Sequence, residues 1–340
     1  MKNCRMVSVM VFLSVMVFVC LGSAAFGQSK PLTLNYSTHM PAQHGLTVMA
    51  TEWGKEIEKR TQGKVKFSVL AGGTMLAADK CYDGVAKGIA DVGLAVPGFT
   101  RGRFPLSEVL DLPLGYKSAT AATRLANLYY KKFKPKEFGE TQVMYIHAHG
   151  PGVLHSKKAV NNLEDVKGLK IRCTGLSAKV AAAIGGAPVA MPVGDTYDAL
   201  SRGVVDASFA SMEAAQGWKW AEVTKFIIES SAIGYTTSFF VVMNKRVWNS
   251  LDPETQKTIE KVNEEWIGRE ANDWEKMEKA GKDFALKMGN KVTSFSKAED
   301  EKVAKAVRPL LDEYVANMKQ KGLPGDEVLR FCLDQLKTLQ

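Results

Sequence analysis

Little in this sequence invites covalent chemistry. Of its 5 cysteines, only Cys81, Cys173 and Cys332 lie beyond the N-terminal apolar run. They show no CxxC spacing, which excludes a zinc ribbon or a dithiol redox motif. HExxH is absent, as are G-x-S-x-G and a convincing S-x-x-K. No activated nucleophile with a positioned base is therefore legible, and an exported hydrolase is a poor alternative. After Leu21 no run is long and apolar enough to span a bilayer, and no low-complexity linker divides the chain. Lys and Arg outnumber Asp and Glu, giving a net charge of +9. They are scattered among acids, as in Lys55–Arg60 (KEIEKR), without the clustered basic face that nucleic acid requires.

What is present begins with a leader. Lys2 and Arg5 precede an apolar run, Met6–Leu21, and then small residues, Gly22–Ala25. This is the pattern of a secretory signal peptide over residues 1–27, cleaved after Gly27 or Ala25, which places the mature protein in the periplasm. Cys20 follows Phe18-Val19, where a lipid-attachment signal needs small residues. Cleavage removes two positive charges and no negative one, so about +7 remains. Three cysteines then remain, an odd number, so at least one stays free; a Cys81–Cys173 bridge is an open alternative.

The most informative stretch is Lys167–Glu213. Strand Leu169–Cys173, helix Ser177–Ile184, the Gly185-Gly186 stop, strand Pro188–Met191, helix Thr196–Arg202 and strand Val204–Ala210 alternate as in βαβ units, predicting an α/β fold. Such sheets hold ligands beyond the carboxyl ends of their strands. Arg172 lies at such an end, and a guanidinium there can grip a carboxylate through two parallel hydrogen bonds. A solvated arginine or a structural ion pair is the competing explanation. Tyr82–Ala95 (YDGVAKGIADVGLA) matches Tyr197–Ala210 (YDALSRGVVDASFA) without a gap. Each copy reads as a short helix, a glycine cap and a buried strand behind an Asp. Two copies are too few for a solenoid and predict two lobes of similar plan, with a crevice between them.

Around this stretch, a strand is expected at Leu32–Ser37 and a helix at Gly45–Arg60 with Val48, Trp53 and Ile57 as its core face. A further helix, Ala119–Phe133, carries Leu125, Leu128 and Tyr129. Strands are expected at Lys64–Leu70, Gln142–His147 and Thr237–Met243. Asp252-Pro253 starts a long helix over Glu254–Met288, able to act as a spine. Helices Lys297–Lys319 and Asp326–Leu336 follow. His147-Ala148-His149 puts two imidazoles on one strand face, but no further ligand pattern supports a metal site.

The ordered set T-Q-G-K, Y-D-G-V-x-x-G-x-x-D, L-P-L-G-Y (Leu112–Tyr116), G-L-K-I-R (Gly168–Arg172), G-G-A-P-V-A-M (Gly185–Met191), Y-D-A-L-x-x-G-V-V-D (Tyr197–Asp206) and V-V-M-N (Val241–Asn244) resembles the solute-binding component of tripartite ATP-independent periplasmic (TRAP) transporters, C4-dicarboxylate-binding type. The resemblance covers essentially all of the mature chain. It implies a two-lobed clamshell with mixed, mainly parallel sheets and a long helix spanning both lobes. Lobe I would comprise residues 28–149 plus about 236–275, and lobe II residues 150–235 plus about 276–340. It further implies a receptor, expected as a monomer without cofactor, that binds a small organic anion and delivers it to a membrane permease; a receptor feeding a sensor protein is the alternative. In this family the arginine of K-I-R, here Arg172, pairs with the ligand carboxylate. Ala210 and Ser211 stand where the family often has Asn-Pro, and Gly152 where a second arginine often stands. These departures argue against a sugar acid or a simple dicarboxylate. The strand ends supply Val96 and Phe99 from one lobe and Phe209, Ser211, Met212 and Glu213 from the other, with His39 at the end of the first strand. His149 is expected to hydrogen-bond the ligand, Trp218 and Phe239 to stack on a ring, and Glu213 to suit an ammonium or hydroxyl.

Overall fold

The computed structural model describes residues 31–340; the leader expected over residues 1–27 lies outside them. No helix among the described residues is long and apolar enough to cross a membrane. The chain opens with β1 (Leu32–Thr38), α1 (Gly45–Arg60), β2 (Val65–Leu70), α2 (Cys81–Lys87), β3 (Val92–Ala95), α3 (Ala119–Phe133) and β4 (Thr141–Ala148). It continues through β5 (Val153–Ser156), β6 (Lys170–Cys173), α4 (Ser177–Ala183), β7 (Ala187–Ala190), α5 (Thr196–Ser201), β8 (Ala207–Ala210), α6 (Ala214–Gly217) and β9 (Phe226–Glu229). β10 (Ser238–Asn244), α7 (Lys245–Ser250), α8 (Pro253–Lys287), β11 (Lys291–Ser294), α9 (Lys297–Val307), α10 (Pro309–Gln320) and α11 (Gly325–Leu339) complete it.

The strands form two mixed sheets, ordered β2-β1-β3-β10-β4 and β11-β9-β5-β8-β6-β7. In the first, β1 runs parallel to β2 and β3, while β10 is antiparallel to β3 and β4. In the second, β6 is parallel to β7 and β8, and β5 is antiparallel to β8 and β9. β3 and β10 are buried along their whole length, as strands covered on both faces must be. The repeat has a structural reason. Asp91 Oδ2 accepts the Asn35 N–H of β1, and Asp206 Oδ2 accepts the Lys170 N–H of β6. Each Asp thus ties its own strand to the equivalent neighbour. Gly88, the C-cap of α2, and Gly203, one residue past the Arg202 C-cap of α5, have φ of +80° and +73°, the left-handed region that only glycine enters freely.

α8 begins as its sequence dictates, with Asp252 Oδ1 accepting the Thr255 N–H at 2.9 Å and Pro253 in the first turn. Its first two-thirds pack on the first sheet, where Trp53 Nε1 donates to Asn263 and Trp274 Nε1 to His147 Nδ1, both at 2.9 Å. Its C-terminal half reaches the second sheet through Ala285, buried with Val153 and Ile227. The spine therefore touches both halves.

Several expectations are corrected. Lys297–Lys319 is not one helix but α9 and α10, because Pro309 supplies no N–H and starts a new first turn. α10 and α11 fall within the residues expected for the second lobe, yet Leu311, Tyr314, Val328 and Cys332 are buried in the first half's core with Tyr82 and Leu125. Val48 is 46% exposed and Leu128 37%; α1 presents Leu46, Met49, Ala50, Trp53 and Ile57 instead. Cys81 and Cys173 sit in the cores of different halves and both remain buried free thiols.

Candidate ligand-binding site

β6 ends at Lys170-Ile171-Arg172-Cys173, between β7 and β8, so Arg172 emerges at the carboxyl edge of the second sheet. Its side chain is 3% exposed. Nε donates to the Met191 carbonyl at 3.1 Å and Nη1 makes a long 3.5 Å contact with the Phe209 carbonyl. Nη2 has no partner. Among the described residues no carboxylate forms an ion pair with this guanidinium. Burial pulls its pKa down to about 10, which leaves it charged at neutral pH.

The guanidinium faces a cavity of about 60 Å³ between the two halves, several times the roughly 10–15 Å³ that one water needs. The first half contributes His39, Val96, Phe99, His149, Phe239 and Trp274, and the second Phe209, Ser211, Glu213, Trp218 and Tyr235. Most of them lie at or just beyond the ends of β1, β3, β4 and β8 or open the antiparallel β10, while Trp218 follows α6, Tyr235 stands in the β9–β10 crossing and Trp274 on α8. Of the residues expected from sequence, all but one line the cavity. Met212 does not; it is buried with Val153, Ala215 and Ala285.

His149 lines the wall but has no nitrogen to offer a ligand, against expectation. Its Nε2 accepts the Thr237 N–H at 3.1 Å, which places the proton on Nδ1, facing the Gly150 carbonyl. Burial lowers its pKa to about 4, so a neutral ring presents its face. His147 is buried, accepts from Trp274 and stacks on Phe239 at 5.0 Å; it supports the wall from behind. His39 differs, because among the described residues neither ring nitrogen has a partner in good hydrogen-bond geometry and its ring meets Phe99 edge-on at 5.2 Å.

Glu213 is 5% exposed and its Oε1 lies 3.1 Å from His44 Nε2. His44 caps α1, with Nδ1 accepting the Leu46 N–H at 3.2 Å. That leaves the proton on Nε2, 3.1 Å from Glu213 Oε1 but outside hydrogen-bond geometry. The carboxylate fits only because residue 217 is glycine, where a Cβ would come within 1.6 Å of Oε1. Glu278 on α8 accepts the Gly150 N–H at 3.0 Å and the Glu213 N–H at 3.3 Å. Burial, and then the Glu213 charge, push Glu278 up to about 8.

Gly152 now has a physical explanation. A Cβ there would lie 2.0 Å from the Tyr235 ring, so Tyr235 fills the space that a longer residue 152 would take. His44, Tyr235 and Trp274 were missed from sequence. His44 was legible as the residue before a helix start; Tyr235 lies in a crossing between strands, and Trp274 has the spacing of an ordinary core residue.

Residues 36–317 match the family model described as bacterial extracellular solute-binding protein, family 7 (DctP). The chain belongs to that family. This family 7 protein is therefore the extracytoplasmic solute receptor of a TRAP transporter, a transport protein that binds a small organic acid and works with membrane permease components. It is similar to a TRAP solute-binding protein from Rhodoferax ferrireducens in complex with copurified benzoate, at 29% identity and TM-score 0.86, covering 91% of this chain and 98% of that one. A marine metagenome receptor specific for aromatic acid ligands, with 3-hydroxybenzoate, shares 25% identity at TM-score 0.87, covering 92% and 100%. A receptor from Bordetella bronchiseptica with bound mandelate shares 26% at TM-score 0.85, covering 91% and 100%.

Proposed function

We propose that this receptor binds a compact monocarboxylic acid with an aromatic body, its carboxylate held by Arg172. One observation carries the reading: a buried cation with an unpaired Nη2 faces an otherwise largely apolar cavity. A buried charge without a partner is costly, and a ligand carboxylate supplies the missing partner, with charge-assisted hydrogen bonds contributing about 1.5–3 kcal/mol each. Because Nε is occupied by Met191, the carboxylate is taken end-on by Nη1 and Nη2. Phe99, Phe209, Trp218 and Phe239 surround the ring. Glu213 and His44 accept or donate to a hydroxyl or amino substituent.

The bound acids of the three similar receptors support this class. We assign binding and delivery, with no catalytic step, to a monomer exported through a cleaved leader. The two lobes close on the acid, the first including α10 and α11. The test is a thermal-shift and calorimetric screen of benzoate, 3-hydroxybenzoate, 3-aminobenzoate and mandelate against succinate and galacturonate. The aromatic acids are expected to bind most tightly; preference for the dicarboxylate or the sugar acid would overturn the assignment.

A further inference from the structure

Three side chains have a space on both sides of them. His44, Glu213 and Trp218 line the internal cavity and also an open surface cleft bounded by Pro41, Gln216, Lys219 and Met277. The partition is one side-chain layer thick. It also crosses between the halves, since His44 belongs to α1 on the first sheet and Glu213 follows β8 of the second. We propose that this partition is an end wall, completed when the halves close, that sets how long an acid the receptor accepts. The inference rests on the aromatic-acid reading for the ligand's ring but not for the length limit itself.

Five features hold the wall in place. The His44 ring is fixed by its capping bond to Leu46, and the Trp218 ring leans on it at 5.4 Å. Gly217 leaves room for Glu213 Oε1, and Gly281 on α8 lets the Met212–Glu213 backbone approach, where a Cβ would meet the Met212 carbonyl at 2.4 Å. The Glu213 N–H is anchored on Glu278. Moving Glu213 aside to admit an alkyl tail breaks its 3.1 Å contact with His44 and sets a buried carboxylate against hydrocarbon, which opposes an extended ligand. Acids that end at the wall fit; acids with a tail meet it.

Two variants open the wall by different means. His44→Ser keeps a capping oxygen for α1 and removes the imidazole. Gly217→Ala keeps the charge of Glu213 but occupies the position of its Oε1. Affinities are measured by calorimetry for two pairs, benzoate with 4-butylbenzoate and pentanoate with nonanoate. In the wild type the longer member of each pair is expected to bind about tenfold or more weakly than the shorter, the discrimination a well-packed pocket gives for a few methylenes. In both variants that ratio is expected to fall by about tenfold, as the tail passes into the outer cleft. Long and short acids weakening together, with the ratio unchanged, would overturn the wall. The straight-chain pair keeps the two readings apart: a preference for the aromatic ring can fail while the length limit still moves with the variants. Circular dichroism of Gly217→Ala, which leaves the α1 cap intact, separates a selectivity change from misfolding.

Discussion

Arg172 is the residue on which recognition turns, and its cost to the unliganded fold has a measurable sign. Removing a buried charge that has no counterion relieves desolvation. Arg172→Met is therefore expected to leave the melting temperature of the ligand-free protein unchanged or higher, measured by differential scanning calorimetry after refolding to strip ligand. An arginine serving only as a structural tie to the Met191 and Phe209 carbonyls would lower it on removal. The position was legible through the K-I-R motif of the family resemblance, whereas spacing alone left a solvated arginine or a structural ion pair open. The Glu213 charge was legible as well, but its partner was not: no spacing rule connects residues 44 and 213. His149 shows the opposite failure, since its type suggested a ligand contact while the backbone of its own turn and of Thr237 takes both nitrogens.

Among the elements, α8 carries buried acids that make stability depend on pH. Glu270 and Glu278 are pushed up to about 8 by burial, and Asp111 beside Ser238 to about 7. These groups hold their protons longer in the folded state than in the unfolded chain, so stability falls as pH rises from the ordinary carboxyl range through 8. The buried histidines 39, 147, 149 and 155 are lowered to between about 3 and 4. Their contribution acts below pH 6.5, where stability falls as the pH falls, and is flat above it. Between pH 6.5 and 8.5 the carboxyls set the slope, joined towards its upper end by Cys81, Cys173 and Cys332, whose thiols burial pushes up to about 12 and which act in the same direction. The melting temperature is expected to fall across that range, and Glu270→Gln to flatten the fall; a rising temperature, or an equal slope in the variant, contradicts the assignment. The start of α8 was written in Asp252-Pro253, and the break before α10 in Pro309. The core face of α1 was ambiguous because Val48, Met49 and Ala50 are adjacent apolar positions and only the neighbouring sheet decides which are covered.

For the molecule as a whole, function requires the halves to meet. Gly98 after β3 and Gly175 after β6 do so backbone to backbone, a Cβ on either coming within 3.0 Å of the other's Cα. Gly98→Val is expected to hold the cleft ajar. Small-angle scattering at saturating acid should then show little of the compaction seen in the wild type, because the closed state is the one the ligand selects; full compaction would show that the glycine contact is incidental. The two-lobed plan was readable from the duplicated Tyr-Asp stretch, since each copy builds the same helix, cap and strand. The placement of α10 and α11 was not, because an amphipathic helix announces an apolar face without naming the surface it covers. The central claim, that a buried guanidinium between the halves is the carboxylate anchor, is tested most directly by titration calorimetry of benzoate into wild type and Arg172→Lys. Loss of the planar fork is expected to weaken binding about tenfold or more, whereas equal affinity in the two proteins would contradict it.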